Sequence, residues 1–234
     1  MRRIKDVMII LFCASSCLCF SQNEEVVETE ADNKYKEDQF YFGVTYNLLG
    51  LRPEDVKQSG FSTGFHLGFI KDMPLNAARN KAIGLGIGLS ANSYNQNLLI
   101  QKDDAGVVSY SVIEDSDTFT KNRFSSNFIE VPLEFRWRTS TATSYDFWRI
   151  YAGFKFSYML SHAAKYDGDL GSFKYTDISD FNKFEYGLTL SAGYNTWNLH
   201  LYYALSPVFS NDAQIDGSSI DMHAIKVGLM FYVL

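Results

Sequence analysis

The chain has 234 residues, enough for one domain behind a leader, and its 27 acidic against 21 basic residues give a formal charge of −6, which disfavours nucleic acid as a partner. Aromatic residues make up 16%, with 15 Tyr and 19 Phe against only 4 Pro, a balance that suits strands and membrane interfaces. The cysteines, Cys13, Cys17 and Cys19, all stand near the N-terminus, so a chain that loses its leader has no disulfide, thiolate metal site or cysteine nucleophile.

Arg2-Arg3-Ile4-Lys5 followed by the apolar run Val7 to Phe20 reads as a secretory signal peptide, residues 1–21, with cleavage between Ser21 and Gln22. The apolar run is too short for a membrane helix, which needs about 20 residues. A rival reading acylates Cys17 after Ala14-Ser15-Ser16, but Ala rather than Leu stands three residues before that cysteine. Cleavage removes Arg2, Arg3, Lys5 and Asp6 and leaves 18 basic and 26 acidic residues, a formal −8. Residues 22–39 are rich in Glu, Asp and Lys and read as an acidic periplasmic tail.

From Phe40 the hydrophobic period is two, and it recurs eight times. The first strand alternates Phe40, Phe42, Val44, Tyr46 and Leu48 with Tyr41, Gly43, Thr45 and Asn47. The second sets Phe61 to Phe69 on odd positions, and the third sets Ile83 to Ala91 against Gly84, Gly86 and Gly88. The fourth, Phe128 to Arg138, puts Ile129, Val131, Leu133, Phe135 and Trp137 on one face and Glu130, Glu134, Arg136 and Arg138 on the other. The fifth alternates Trp148 to Leu160 with Arg149, Tyr151, Gly153 and Lys155. Phe184 to Tyr194 and Trp197 to Leu205 form a hairpin through Asn195-Thr196, and Ile225 to Val233 supplies the eighth strand.

The sequence therefore predicts an all-β fold, an eight-stranded antiparallel transmembrane β-barrel over 40–234 with both termini periplasmic. A soluble barrel would bury the apolar face and expose the polar one. Against that, the polar face is Gly-rich and charged, and the apolar face runs unbroken for about ten residues, which at a tilt of about 40° cover an outer-membrane band of roughly 25 Å. Connections expected at 50–60, 93–126, 161–182 and 208–222 are longer on average than those at 71–81, 139–146 and 195–196, as surface loops are longer than periplasmic turns. Trp137, Trp148 and Trp197 then form a periplasmic aromatic girdle, and Phe61, Phe128, Tyr158, Phe184 and Phe209 are expected to supply the opposite one.

Glu130, Glu134, Arg136, Arg138, Arg149, Lys155, Glu185 and Lys226 fall on the polar face and are predicted to form an ion-pair network in the lumen. If Trp137 faces Trp148, Glu130 faces Lys155. An eight-stranded barrel is too narrow for an open channel, so a structural network outweighs conduction. Pro132, in mid-strand, predicts a bulge or a gap in the ladder. Gly84-Leu85-Gly86-Ile87-Gly88 is strand alternation with no helix after it, its glycines leaving lumen space for long side chains rather than cradling a phosphate.

No catalytic set can be assembled by spacing from His66, His162, His200 and His223 with Ser161, so the chain reads as non-enzymatic and without cofactor or metal. A rim hydrolase or acyltransferase using Ser161-His162 or His223 is the competing reading. The acidic loop from Gln101 to Arg123 reads as a solvated surface loop with a small hairpin extending strands three and four, against a partner-binding or calcium-binding lobe.

The strand Ile129-Glu130-Val131-Pro132-Leu133 and the following Arg149-Ile150-Tyr151-Ala152-Gly153 resemble the I/L-E-x-P-L and R-x-Y-x-G strands of the PorT-type outer-membrane barrel family. The resemblance covers 40–234 and implies an integral outer-membrane barrel; the chain itself reads as a membrane-embedded interaction component with outer-membrane lipid around it. Through some relatives it also implies secretion-machinery or periplasmic partners, as an accessory of type IX protein secretion. A structural or adhesion barrel acting through its surface loops is the alternative. The sequence departs from such barrels at Val233-Leu234, where a terminal aromatic is common.

Overall fold

The computed structural model describes residues 38–114, 116–139 and 147–233. The signal peptide, Cys17, most of the acidic tail and Leu234 lie outside the described residues. The strands in chain order are β1 (Gln39–Gly50), β2 (Thr63–Pro74), β3 (Lys81–Asn95), β4 (Leu98–Lys102), β5 (Val108–Val112), β6 (Phe119–Arg138), β7 (Trp148–Gly168), β8 (Gly171–Tyr175), β9 (Phe184–Tyr194), β10 (Trp197–Ala204), β11 (Gln214–Ile215), β12 (Ser218–Ser219) and β13 (His223–Val233).

Eight of these close into a ring, β1-β2-β3-β6-β7-β9-β10-β13, every neighbour antiparallel. The last strand returns to the first, from Phe40 opposite Val233 to Gly50 opposite His223, and this seam leaves the ring without an edge. The period-two pattern is resolved in the sense that a bilayer requires. Phe40, Leu67, Ile87, Leu133, Leu188 and Leu199 project outward and are exposed, while Tyr41, His66, Glu134, Thr189 and His200 project inward and are buried. No helix among the described residues is long and apolar enough to cross a membrane.

Short turns join β2 to β3 and β9 to β10 at the end that holds the first residues of β1 and the last of β13. The β9–β10 turn is the expected two-residue one, with Asn195 at a φ of 53°, a left-handed position that Asn tolerates. The opposite end carries the long connections, which hold β4 and β5, β8, and β11 and β12.

Several boundaries differ from expectation. β2 opens at Thr63 rather than Phe61, and β1 takes in Gln39 from the expected tail. β6 starts at Phe119 and β7 runs to Gly168, so their hairpin stands well beyond the apolar band. Outward positions of β6 are apolar from Trp137 to Ile129, then turn polar at Asn127, Ser125 and Arg123, and it was this loss of alternation that read as loop. β4 and β5 do not extend β3 and β6 but form their own two-stranded sheet.

Pro132 makes a gap: the β3–β6 register passes from Leu85 opposite Leu133 to Gly88 opposite Glu130, while the β6–β7 ladder stays continuous through Pro132. Gly86 lies beside this gap, and a Cβ there would stand 3.1 Å from the proline Cγ. The neighbouring glycines make room in the lumen. A Cβ on Gly84 would come within 2.7 Å of Arg136 Nε, and one on Gly88 would collide with the Tyr41 hydroxyl.

On the turn side, Trp148 packs against Tyr194 at 5.5 Å and Trp197 against Phe231 at 4.8 Å, with Phe40 on Phe69 at 5.2 Å. On the loop side Phe61 packs on Tyr46 and Phe184 on Tyr158, all exposed. Phe128 and Phe209, expected in that second girdle, are instead buried inside. Phe128 alternates with the outward Ile129, and Phe209 belongs to a connection that folds over the barrel end.

A closed barrel of this kind is expected to resist detergent and run faster on a gel before heating than after. Gly88→Val, which drives a side chain into Tyr41, should lower the fraction that shifts; full retention would contradict the lumen packing described.

Candidate functional site

The eight charged residues predicted for the lumen are all buried there. They are joined by Asp72, which the sequence pattern alone places in the β2–β3 turn. It lies on the inward face because the alternation of β2 continues through Ile70 in, Lys71 out, Asp72 in. Asp72 is the hub of the turn-side half. It takes two bonds from Arg138, Nη1 to Oδ1 and Nη2 to Oδ2, both 2.8 Å, and a third from Arg136 Nη1 at 3.3 Å. Arg136 Nε also donates to Glu134 at 3.1 Å, and its guanidinium lies 4.5 Å from the Tyr151 ring centre. The planar guanidinium groups suit this paired, stacked geometry in a way lysine would not.

In the middle of the lumen Lys155 Nζ stands 3.1 Å from Glu130 Oε2, and the same oxygen is 3.3 Å from His66 Nδ1. The register behind this pair is not the expected one. Trp137 faces Ile150, two residues from Trp148, and Glu130 faces Ser157. A slip of two keeps every side chain on its own face, so the long Lys155 side chain reaches Glu130 diagonally. Nearer the loop side Lys226 Nζ donates to Glu185 at 3.0 Å and lies 4.6 Å from the Tyr202 ring centre.

Four carboxylates thus face five cations among the described lumen residues. Arg149 is paired with no carboxylate among them and lies over Phe147 at 4.5 Å. Small cavities lie among the described lumen residues, one beside Pro132 and His200 and one beneath Phe128 and Val208, each about 10 Å³, room for about one water.

Above the charged zone the lumen becomes apolar. Leu49, Tyr94, Phe124, Phe128 and Met159 from the strands pack with Val56, Leu98, Ile100, Ile178, Phe181, Phe209, Ile220 and Met222 from the connections. Periodicity does not reveal this cap, because connection residues have no period; its signal in the sequence is the isolated apolar residues set in polar stretches, such as Ile178, Phe181 and Phe209. Polar ties fix the cap. Lys102 Nζ donates to Asp177 at 2.6 Å, and that bond holds the exposed Asp177 carboxyl below its ordinary range. Tyr110 donates to Asp180 at 3.0 Å, and burial, reinforced by that carboxylate, pushes its phenol above its usual value.

On the cap lies a cleft of about 670 Å³ between the β1–β2 connection, the β4–β5 hairpin and the β11–β12 turn. Its volume is in the range of ligand sites. Glu54, Asp55, Glu114, Asp216 and Asp221 line it with Arg52 and Lys57.

The other sequence candidates are not brought together. Ser161 Oγ accepts from Asn127 at 2.9 Å, and His162 Nε2 accepts from the Ile178 amide at 3.0 Å, so neither forms the serine–histidine bond of a nucleophile and its base. Burial also holds the His162 imidazole below its ordinary pKa. His223 lies 3.2 Å from Asp221 at the cleft rim. Asp103 caps its own turn by accepting from the Val107 amide, and no group of three acidic, His or Cys residues poised for a metal occurs among the described residues.

Closed ring, outward apolar belt and filled lumen define an integral membrane β-barrel. Residues 20–210 match the family described as the outer membrane protein beta-barrel domain, and the chain belongs to that family, in the outer membrane of a Gram-negative bacterium. The short turns and both strand ends of the seam are therefore periplasmic, and the capped end is extracellular. Among solved structures the chain is similar to Ail, the attachment invasion locus protein of Yersinia pestis, at 13% identity, covering 85% of this chain and 99% of that one with a TM-score of 0.34. The same protein in complex with the heparin analogue sucrose octasulfate matches at 14% identity over the same shares, TM-score 0.33. A porin mutant of Rh. blastica matches at 8% identity, again over 85% and 99%, with a TM-score of 0.20. Among curated proteins no relative matches the sequence.

Asp72→Asn should cost about 3–5 kcal/mol, because it removes the carboxylate that the buried Arg138 and Arg136 share. Urea unfolding followed by fluorescence of the girdle tryptophans measures this. Lys102→Met, which breaks an exposed pair on the cap, should leave the midpoint unchanged.

Proposed function

We propose that this barrel is a non-conducting outer-membrane interaction component that presents its extracellular loop face, and an acidic N-terminal tail on the periplasmic side, to partner proteins. The observation that carries the reading is the lumen, filled by ion pairs in its lower half and by apolar loop residues above, with a cleft of about 670 Å³ open on the outer face instead. A catalytic role is disfavoured by the separate engagements of Ser161 and His162. Export proceeds through a signal peptide cut between Ser21 and Gln22, and outer-membrane lipid surrounds the belt.

The finer assignment, an accessory of type IX protein secretion, draws on the PorT-type resemblance of Ile129 to Leu133 in β6 and Arg149 to Gly153 in β7. Attachment through the outer loops, as an adhesion barrel, is favoured by the location of the cleft.

Deleting the gene and assaying secreted cargo and surface attachment separates the two; normal secretion removes the type IX role. In either case the variant Glu54→Lys/Asp55→Lys/Asp221→Lys should reach the outer membrane and keep its gel shift, yet reproduce the deletion phenotype. Full rescue by that variant would contradict a role for the cleft.

A further inference from the structure

The outer wall of the barrel carries a second feature that the interaction role does not use. Where the β6–β7 hairpin rises above the apolar belt, β8 pairs along β7 and widens the wall into three strands. Across it Arg123 of β6 stands opposite Lys165 of β7, and Lys165 stands opposite Lys174 of β8. Arg123 and Lys174 are exposed and Lys165 half-buried. Like charges directly opposite one another across strands repel. No ion pair relieves any of the three among the described residues, and the nearest acid on this face in register, Asp167, stands opposite Lys121 instead. A row of three cations held in this register is arranged for an external anion.

Below the row the outward surface is indented. A groove of about 450 Å³ runs over β1, β2, β3, β6 and β7, walled by Phe65, Leu67, Leu89 and Leu160, with the small Ala91 in its lining and Asn127 at its upper rim. The register shift at Asn127/Phe128 lies at the same place. The groove faces hydrocarbon, so it takes an acyl chain. Arg123 is two outward positions beyond Asn127 on the same strand. That is about 13 Å along the strand, or roughly 10 Å of height at a barrel tilt of about 40°, which the long Arg and Lys side chains can shorten by reaching down to headgroups.

We propose that this wall is a binding site for a phosphorylated glycolipid of the outer leaflet, its phosphate held by Arg123, Lys165 and Lys174 and one acyl chain lying in the groove beside Ala91. The opposite charge of the cleft, dominated by Glu54, Asp55, Glu114, Asp216 and Asp221, makes the molecule two-sided at its outer end: lipid phosphate on the β6–β8 wall, and a free acidic cleft for partners.

The test uses the full chain folded in a zwitterionic detergent and titrated with lipid A bearing its phosphates, with dephosphorylated lipid A and with inorganic phosphate, bound lipid being counted by native mass spectrometry. Lipid A should bind, the dephosphorylated form should bind weakly, and inorganic phosphate at equal concentration should not compete. Arg123→Ser/Lys165→Ser/Lys174→Ser should weaken lipid A binding on the order of a hundredfold while keeping the gel shift. Ala91→Leu, which fills the groove and leaves the charges, should weaken both lipid forms. Arg123→Lys should bind nearly as the parent does. Unchanged lipid A binding by the triple serine variant, or equal competition by inorganic phosphate, would overturn the proposal.

Discussion

A backbone amide inside hydrocarbon has no water to bond, so a chain that crosses as strands must pair every one of them with another strand. The seam between β1 and β13 satisfies this by joining the two ends of the chain through eleven consecutive residue pairs. The remaining features depend on it. A ring of eight strands has an inside too narrow for free water, and the pleat sends every second side chain there. The inward residues are polar because the outward ones must be apolar, and buried polar groups must then satisfy one another.

The two halves of the lumen solve this problem by different means. On the periplasmic side charge is matched to charge, with Asp72 holding two arginines and tyrosine rings covering the guanidinium faces. On the extracellular side strand residues give way to loop residues, and an apolar core forms in the barrel mouth. The first solution specifies geometry more than it adds stability, since the desolvation of each buried charge offsets much of its pairing energy. The second orders the connections, because loops that bury Ile178, Phe181 and Ile220 cannot also move freely. A cleft on such loops is preformed, which would lower the entropic cost for any partner seated there.

How much of this could be read from the sequence follows from periodicity. The strands inside the bilayer were legible because lipid on one side and lumen on the other impose a strict period of two. The Glu130–Lys155 pair was placed through a register wrong by two residues, and it was reachable because an even slip preserves faces. Asp72 was missed because Lys71 interrupts the apolar face where β2 leaves the hydrocarbon, and a polar outward residue there imitates a turn. The upper parts of β6 and β7 were read as loop for the same reason: both their faces are polar or mixed once they stand in water. Phe128 and Phe209 were assigned to the membrane face because aromatic residues serve interface and core alike, and only the packing separates the two.

With the lumen filled, the proposed interactions fall to the outer surfaces, the loop cleft and the basic wall. The most direct test of that account is electrical. Full-length barrel folded into a planar lipid bilayer should pass no more current than the bare bilayer at voltages that open porins. Stable, stepwise conductance from the folded protein would contradict the filled lumen and return the function to the inside of the barrel.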